Sequence, residues 1–395
     1  MLRISRTNIG PIGLWWYTVD RWMLFGLILL GLIGLFFSLA VSPAEAISIK
    51  TDTYFFLTRH LIYCFISLLF LICISILPSD KTRKLSLLVF IISLIGIFLT
   101  LVIGINSGGA SRWLPIFGFT IQPSEFLKPS LVMVVSWFLA RSRIEENSFL
   151  QIIPATLLFL SVFLLLQQPD VGQTILIIIT VMGLMFFNGL PWKVVISLIS
   201  VSILGAVFLY FNFSHVSLRV DNWLNAWFYP DSLESRPTQM SSAIDAFENG
   251  GLFGQGIGEG WMKYNLPDAY TDFIFAAVAE EGGLFFILLI ILIYGFIIIR
   301  GFSKIQILNN YFNQLAASGL LLIFGLQALF HMAVNLSLVP AKGMTLPFIS
   351  YGGSSIMALG ICMGMFLSLT NFIATSKHLK IYLFDLFDIF SKGFF

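Results

Sequence analysis

Apolar runs of about 20 residues recur along the whole chain, each long enough to cross a hydrocarbon core as a helix. Hydropathy places ten such spans at roughly 22–41, 60–78, 85–105, 123–140, 149–168, 171–188, 192–213, 273–299, 313–337 and 348–372. Composition agrees with this reading, since 58% of the 395 residues are hydrophobic and 11% are charged, against about 25% charged in a soluble domain. The expectation is an all-α polytopic membrane protein. It has a cytoplasmic segment 1–21, a ten-helix domain over 22–372 with a large outward loop 214–272, and a cytoplasmic tail 373–395. The stretches "QQPD" and "NGLPWK" are short enough to be tight turns between helices, with Pro169 and Pro191 stopping continuation.

Lysine and arginine placement sets the orientation. With the amino terminus inside, the outward segments hold only eight of the 22 basic residues: Lys50, Arg59, Arg112, Lys128, Arg219, Arg236, Lys263 and Lys342. An even number of spans returns the carboxyl terminus to the same side, and "WWYTVDRW" at 15–22 suits an aromatic interface anchor there. Loops 106–122, 214–272 and 338–347 then face outward.

Several chemistries lack their residues. Cys64, Cys73 and Cys362 are odd in number, lie in apolar runs and show no CxxC spacing, so they read as small packing residues. The histidines are scattered, with no HExxH, and a metal site built by the protein alone is not expected. No GxxxxGK[ST] phosphate loop occurs. Ala44-Glu45-Ala46 fits a small-x-small cleavage pattern. The apolar run before it, however, exceeds the 7–15 residues of a signal h-region, so an uncleaved span is expected.

The outward loops carry the candidates. In "NSGGASRWLPIFGFTIQPSEFLK", Arg112 can hold a polar head at the interface. Glu125 and Lys128 share one helix face at i,i+3 spacing, either as a polar site or as a self-neutralising pair. Loop 214–272 far exceeds the usual connection of about 4–6 residues. It holds the interfacial stretch "LRVDNWLNAWFYP", a short helix "QMSSAIDAFENGG", and "GGLFGQGIGEG", which is either an anion nest or a plain surface loop. "NLSLVPAKGMTLPFISYGGSS" offers Lys342 with Asn335, Ser350, Ser354 and Ser355, residues that also serve ordinary helix packing. Asp272 stands at the mouth of an apolar run, as a functional carboxylate or as a helix N-cap. Glu280 and Glu281 lie roughly 12 Å further along the helix. Buried carboxylates must be paired, protonated or hydrated, and only one of two adjacent ones can face a given partner helix.

The motifs "QPSEFLK", "QQPDVGQ", "GGLFGQGIGEG", "LPDAYTDFIFAAVAEEGG" and "VPAKGMTLPFISYGGSS" resemble, in order and spacing, those of the SEDS family (shape, elongation, division and sporulation), over residues 20–375. "WWYTVDRW", the "LPDA" loop and "PAKGMTLPFISYGGSS" look like the division branch of alphaproteobacterial type, with the elongation branch as runner-up. The resemblance implies a peptidoglycan glycosyltransferase that polymerises lipid II during septal wall synthesis in the bacterial inner membrane. It also implies a class B penicillin-binding protein and other division proteins as partners, and no nucleic acid. No cofactor is expected to be built in, while a divalent cation, Mg²⁺ or Mn²⁺, accompanies the lipid pyrophosphate. Asp272 matches the family's essential loop aspartate and is the expected catalytic residue. Arg112, Glu125, Lys128, Arg219, Lys342 and Ser354 form the expected substrate-binding set, with Gln122, Glu280, Glu281 and Asn335 as polar residues of the cavity. Most relatives carry histidine at Tyr270 and glutamate at Asp268, and "IDAFENGG" stands where "IAIGSGG" is commoner. A lipid II flippase is the alternative from a different class, and a scaffold that only recruits the transpeptidase is a third.

Overall fold

The computed structural model describes residues 11–371 except 49, 108–109, 117–118, 147–148, 190–191, 229–238, 267 and 341–342. Each of the ten apolar segments is occupied by a helix. These are α2 (Arg21–Ser48), α3 (Phe55–Ser75), α4 (Ser79–Ile103), α5 (Pro123–Ile144), α6 (Phe149–Gln167), α7 (Val171–Phe187), α8 (Trp192–Asn212), α11 (Ile274–Gln306), α12 (Tyr311–Asn335) and α13 (Gly353–Thr370). Seven of them, namely α2, α3, α4, α6, α11, α12 and α13, are long and apolar enough by themselves to cross a membrane. Helix α7 is a shorter apolar helix, and α8 runs into a bent pair with the helix that follows it.

Three further helices surround the spans: α1 (Pro11–Thr18), α9 (Ser214–Phe228) and α10 (Gln239–Gly250). Segment 203–212 of α8 meets 216–225 of α9 at 104°, so the stretch read as interfacial is a helix turned sharply away from α8. Helix α10 closes at Gly250 as its sequence suggests.

Loop 106–122 is more ordered than expected. Strands β1 (Ile105–Ser107), β2 (Ala110–Ile116) and β3 (Phe119–Ile121) form an antiparallel meander, with Ile105 opposite Trp113 and Leu114 opposite Ile121. It leads straight into Pro123 at the first position of α5, where a proline costs no helical hydrogen bond.

The core lies where α13 packs against α3, α5 and α12, and where α5 packs against α4 and α6. Helix α5 carries Glu125 and Lys128 and is enclosed on these sides, which keeps both charges out of lipid. The two bundle ends differ. At one, the Asp20 carboxylate accepts from Met23 N–H at 3.0 Å, capping α2, and pairs across to α11 through Arg300 at 2.7 Å and Lys304 at 3.2 Å. Burial pushes this carboxyl up, but its hydrogen bonds from Arg300, Met23 and Lys304 outweigh that and hold it below the usual range. At the other end lie the meander, α10 and Asp272.

Candidate active site

Asp272 sits in a tight turn just before α11. The Asp268 carbonyl accepts from the N–H groups of Thr271 and Asp272, both at 3.0 Å. The N-cap position of α11 is Phe273, with no side-chain cap hydrogen bond. The alternative of Asp272 as an N-cap is therefore set aside. Two side chains lock the backbone instead. Asn335, at the end of α12, donates to the Asp272 carbonyl at 2.9 Å and accepts from Ala276 N–H at 3.0 Å. Ser350 donates to the Thr271 carbonyl at 2.7 Å, and Tyr351 N–H bonds the Tyr270 carbonyl at 3.0 Å. The carboxylate is half-buried beside Gly343, where an added Cβ would stand 3.2 Å from Oδ2. Burial raises the neighbouring Asp268 carboxyl above its usual range. It also raises the Tyr270 phenol, with the Glu45 and Asp268 charges adding to the effect.

A consequence follows for Asn335. Replacement by the similarly sized but apolar Leu removes the bond to the Asp272 carbonyl, at about 1–3 kcal/mol for a buried group, and leaves Ala276 N–H with only its 3.1 Å bond to the Phe273 carbonyl. Asn335→Leu is expected to lower both Tm and turnover, with KM nearly unchanged, in a comparison of melting curves and steady-state rates.

A second polar layer joins α5, α7, α12 and α13. Lys128 Nζ lies 2.8 Å from Glu125 Oε2 and donates to Gln327 Oε1 at 3.0 Å. Glu125 accepts from Gln173 Nε2 at 2.6 Å. Gln327 donates to the Thr345 carbonyl at 3.1 Å, while the Thr345 and Ser355 hydroxyls share a 2.6 Å bond. Both charged side chains are about 4% exposed as residues, so neither is solvated by bulk water. At the rim, Arg112 donates to the carbonyls of Gln168 at 3.2 Å and Pro169 at 2.6 Å, with Asp170 3.8 Å away. Burial raises the Asp170 carboxyl and the Arg112 charge opposes that shift. Asp170 also caps α7 through Gln173 N–H and accepts from Gln122 Nε2 at 3.3 Å.

The third layer is a break in α11. Gly283 has φ +69, and an added Cβ would meet Gly254 N at 2.3 Å. In an unbroken helix the carbonyls of Glu280 and Glu281 would accept from Leu284 and Phe285. Here Gln255 and Gly256 N–H donate to those carbonyls at 2.9 and 3.1 Å, while Leu284 and Phe285 N–H donate to Gly251 and Leu252 at 3.0 and 3.3 Å. The glycine-rich turn thus completes the broken helix, with the N–H groups of Gln255 and Gly256 engaged there. Both carboxylates face this same turn, because their partner is a loop and not a helix. Glu280 accepts from Trp261 and Met262 N–H at 3.2 and 3.1 Å, and Glu281 pairs with Lys263 at 2.8 Å. Gly283→Ala combines left-handed strain of about 1–3 kcal/mol with a backbone clash, and a lowered Tm is the expected readout.

The expected site residues therefore fall into groups. Asn335 joins Asp272. Arg112, Gln122, Glu125 and Lys128 lie in the second layer and its rim, whereas Glu280 and Glu281 belong to the helix break. Ser354 Oγ accepts from Gln122 N–H at 2.9 Å, a bond between protein groups that joins α13 to the start of α5. Lys342 and the Arg219 side chain lie outside the described residues. The sequence reading does not single out Gln327, His331, Gln173 or Asp170. A signal existed for two of them: Gln327, His331 and Asn335 recur every four residues on one face of the apolar α12. His331 Nδ1 donates to the Met344 carbonyl at 2.7 Å, holding the same loop that carries Thr345.

Fold and site together define a multi-helix integral membrane protein whose polar chemistry gathers at one end of its bundle. Residues 20–374 match the FtsW, RodA and SpoVE family of cell cycle proteins, and the chain belongs to that family. It is 42% identical to the probable peptidoglycan glycosyltransferase FtsW of Caulobacter vibrioides, over 92% of each chain. The corresponding protein of Hydrogenovibrio crunogenus is 34% identical over 89% of this chain and 91% of its own. Among solved structures, one from a peptidoglycan synthase complex that coordinates polymerization and crosslinking matches with TM-score 0.73 and 25% identity. It covers 90% of this chain and 98% of that one. The rod shape determining protein RodA of Thermus thermophilus shares the fold, with TM-score 0.66 and 23% identity over 92% and 99% of the two chains. The SEDS resemblance read from the motifs is borne out.

Proposed function

We infer that the chain is a peptidoglycan glycosyltransferase of the division branch, polymerising lipid II on the outer face of the bacterial inner membrane beside a class B penicillin-binding protein. The observation that carries this reading is the Asp272 carboxylate, half-buried at one bundle end on a backbone clamped by Asn335 and Ser350. The 4-hydroxyl of a GlcNAc acceptor must lose its proton as its oxygen bonds the anomeric carbon of MurNAc. Asp272 takes that proton as general base, and the bond from the anomeric carbon to the pyrophosphate oxygen breaks. The prenyl pyrophosphate leaves, and fixed cations stabilise the charge that builds on it.

Arg112 and Lys342 are the cations assigned to that leaving group. Arg112→Ala is expected to lower turnover toward the roughly 10²-fold typical of losing one transition-state donor. Lys50→Ala, at an exposed position, leaves turnover unchanged. We assign Mg²⁺ or Mn²⁺ to the substrate's pyrophosphate on the chemistry of that group, and no step is routed through it.

The test is polymerisation of lipid II by the purified protein, with and without the transpeptidase. Glycan strands support the reading. Movement of lipid II between leaflets without any strand would favour a flippase.

A further inference from the structure

The turn that completes the α11 break presents an apolar surface that none of the chemistry above uses. Phe253 is 85% exposed, Leu252 65%, Tyr264 58%, Trp261 54% and Ile257 43%. These side chains point outward while their neighbours Met262 and Lys263 are buried against Glu280 and Glu281. Such a cluster of large apolar side chains marks a surface that something covers.

Two features identify the cover. The first is height. From Leu284 to Ile299, just before the Arg300–Lys304–Asp20 cluster, the helix runs about 16 residues, or roughly 24 Å at its rise per residue. That is most of a hydrocarbon core of about 30 Å, so Gly283 stands within about 6 Å of the core's outer edge and the turn beside it reaches the boundary of acyl chains and headgroups. The second is continuity. Leu252 accepts from Phe285 N–H at 3.3 Å. Phe285 in turn begins the exposed apolar stripe of α11, which continues through Leu288 and Leu292. The turn prolongs this exposed apolar stripe past the helix break, and it ends in Trp261 and Tyr264, residue types that settle at the membrane interface.

We propose that the glycine-rich turn 251–264 is a foot resting on the bilayer, with Leu252, Phe253, Ile257, Trp261 and Tyr264 seated at the boundary of headgroups and acyl chains on the Asp272 side. The foot cannot shift independently of α11. Four backbone hydrogen bonds, the buried Lys263–Glu281 pair and the Glu280 contacts fasten it to the helix on both sides of Gly283. The segment Ile274–Gly282 then joins it rigidly to Asp272. The foot therefore sets the height of the carboxylate above the lipid, which matters for any substrate whose tail stays in the bilayer.

The test reads lipid contact directly and does not depend on glycosyl transfer. The full chain, alone and with its transpeptidase, is placed in nanodiscs of phosphatidylethanolamine and phosphatidylglycerol with a benzophenone amino acid at position 253. Illumination and mass spectrometry should find phospholipid joined to the peptide that carries position 253, in both samples. Adducts to a protein partner, or no lipid adduct, would overturn the proposal. As a second reading, a nitroxide is placed on Leu252→Cys in a chain whose Cys64, Cys73 and Cys362 are replaced by alanine. Oxygen should relax it more strongly than a water-soluble nickel chelate, and the reverse order would equally overturn the proposal.

Discussion

Asp272→Asn is expected to insert, fold and retain its partner, yet to polymerise lipid II about 10²–10⁴-fold more slowly, the usual loss on removing a general base. The structure separates this effect from a folding defect. The N-cap position of α11 is Phe273, not the residue replaced, and asparagine keeps the size of the aspartate. Asn335 and Ser350 hold the backbone of this turn through the carbonyls of Asp272 and Thr271, which the substitution leaves in place. Tm should therefore stay near that of the native chain while the rate collapses. A variant that melts early would point to a structural carboxylate instead. Rates and melting curves on one preparation distinguish the two outcomes.

The second large effect concerns Glu125 and Lys128. Removing either partner alone, as in Glu125→Leu or Lys128→Met, strands a charge that is almost wholly buried, at about 3–5 kcal/mol. Poor insertion and a strongly lowered Tm are expected for each. Replacing both together should be nearly neutral for stability, because a buried ion pair gains little net energy over apolar packing. Charge reversal is more informative. A lysine at position 125 can be met by Gln173 turning its amide, since Gln173 Oε1 has no partner. A glutamate at position 128 asks the same of Gln327, whose amide nitrogen already holds Thr345 and Ser355. The reversed pair should fold while the 344–350 loop beside Asp272 loses its support, so turnover falls at least about tenfold. Full activity in the reversed pair would reduce Glu125–Lys128 to a structural role.

What the sequence made legible follows from the range of each interaction. The apolar segments were visible because crossing a bilayer needs a long uninterrupted run. The Glu125–Lys128 pair was visible because i,i+3 neighbours share a helix face. The meander was not, since β1 and β3 have three residues each and show no alternation to detect. Nor was the break at Gly283: "EEGG" suits a continuous helix until a second segment offers the four backbone partners, and those come from residues 251–256. Glu280 and Glu281 illustrate the same limit. Their sequence positions said they must be paired, protonated or hydrated, but the partners that the fold supplies lie about 18 residues earlier. The stripe Gln327, His331 and Asn335 was legible in principle. It was passed over because each residue by itself resembles the occasional polar group of an apolar helix.

The account rests most heavily on one claim, that Asp272 performs glycosyl transfer on the face of the membrane where it stands. Proteoliposomes in which the protein and its transpeptidase are uniformly oriented, with lipid II confined to one leaflet at a time, test this directly. Glycan strands should form when lipid II occupies the leaflet on the Asp272 side, none should form from the opposite leaflet, and Asp272→Asn should abolish the product. Strands made equally by the Asp272→Asn protein, or lipid II carried across the bilayer with no strand formed, would contradict it.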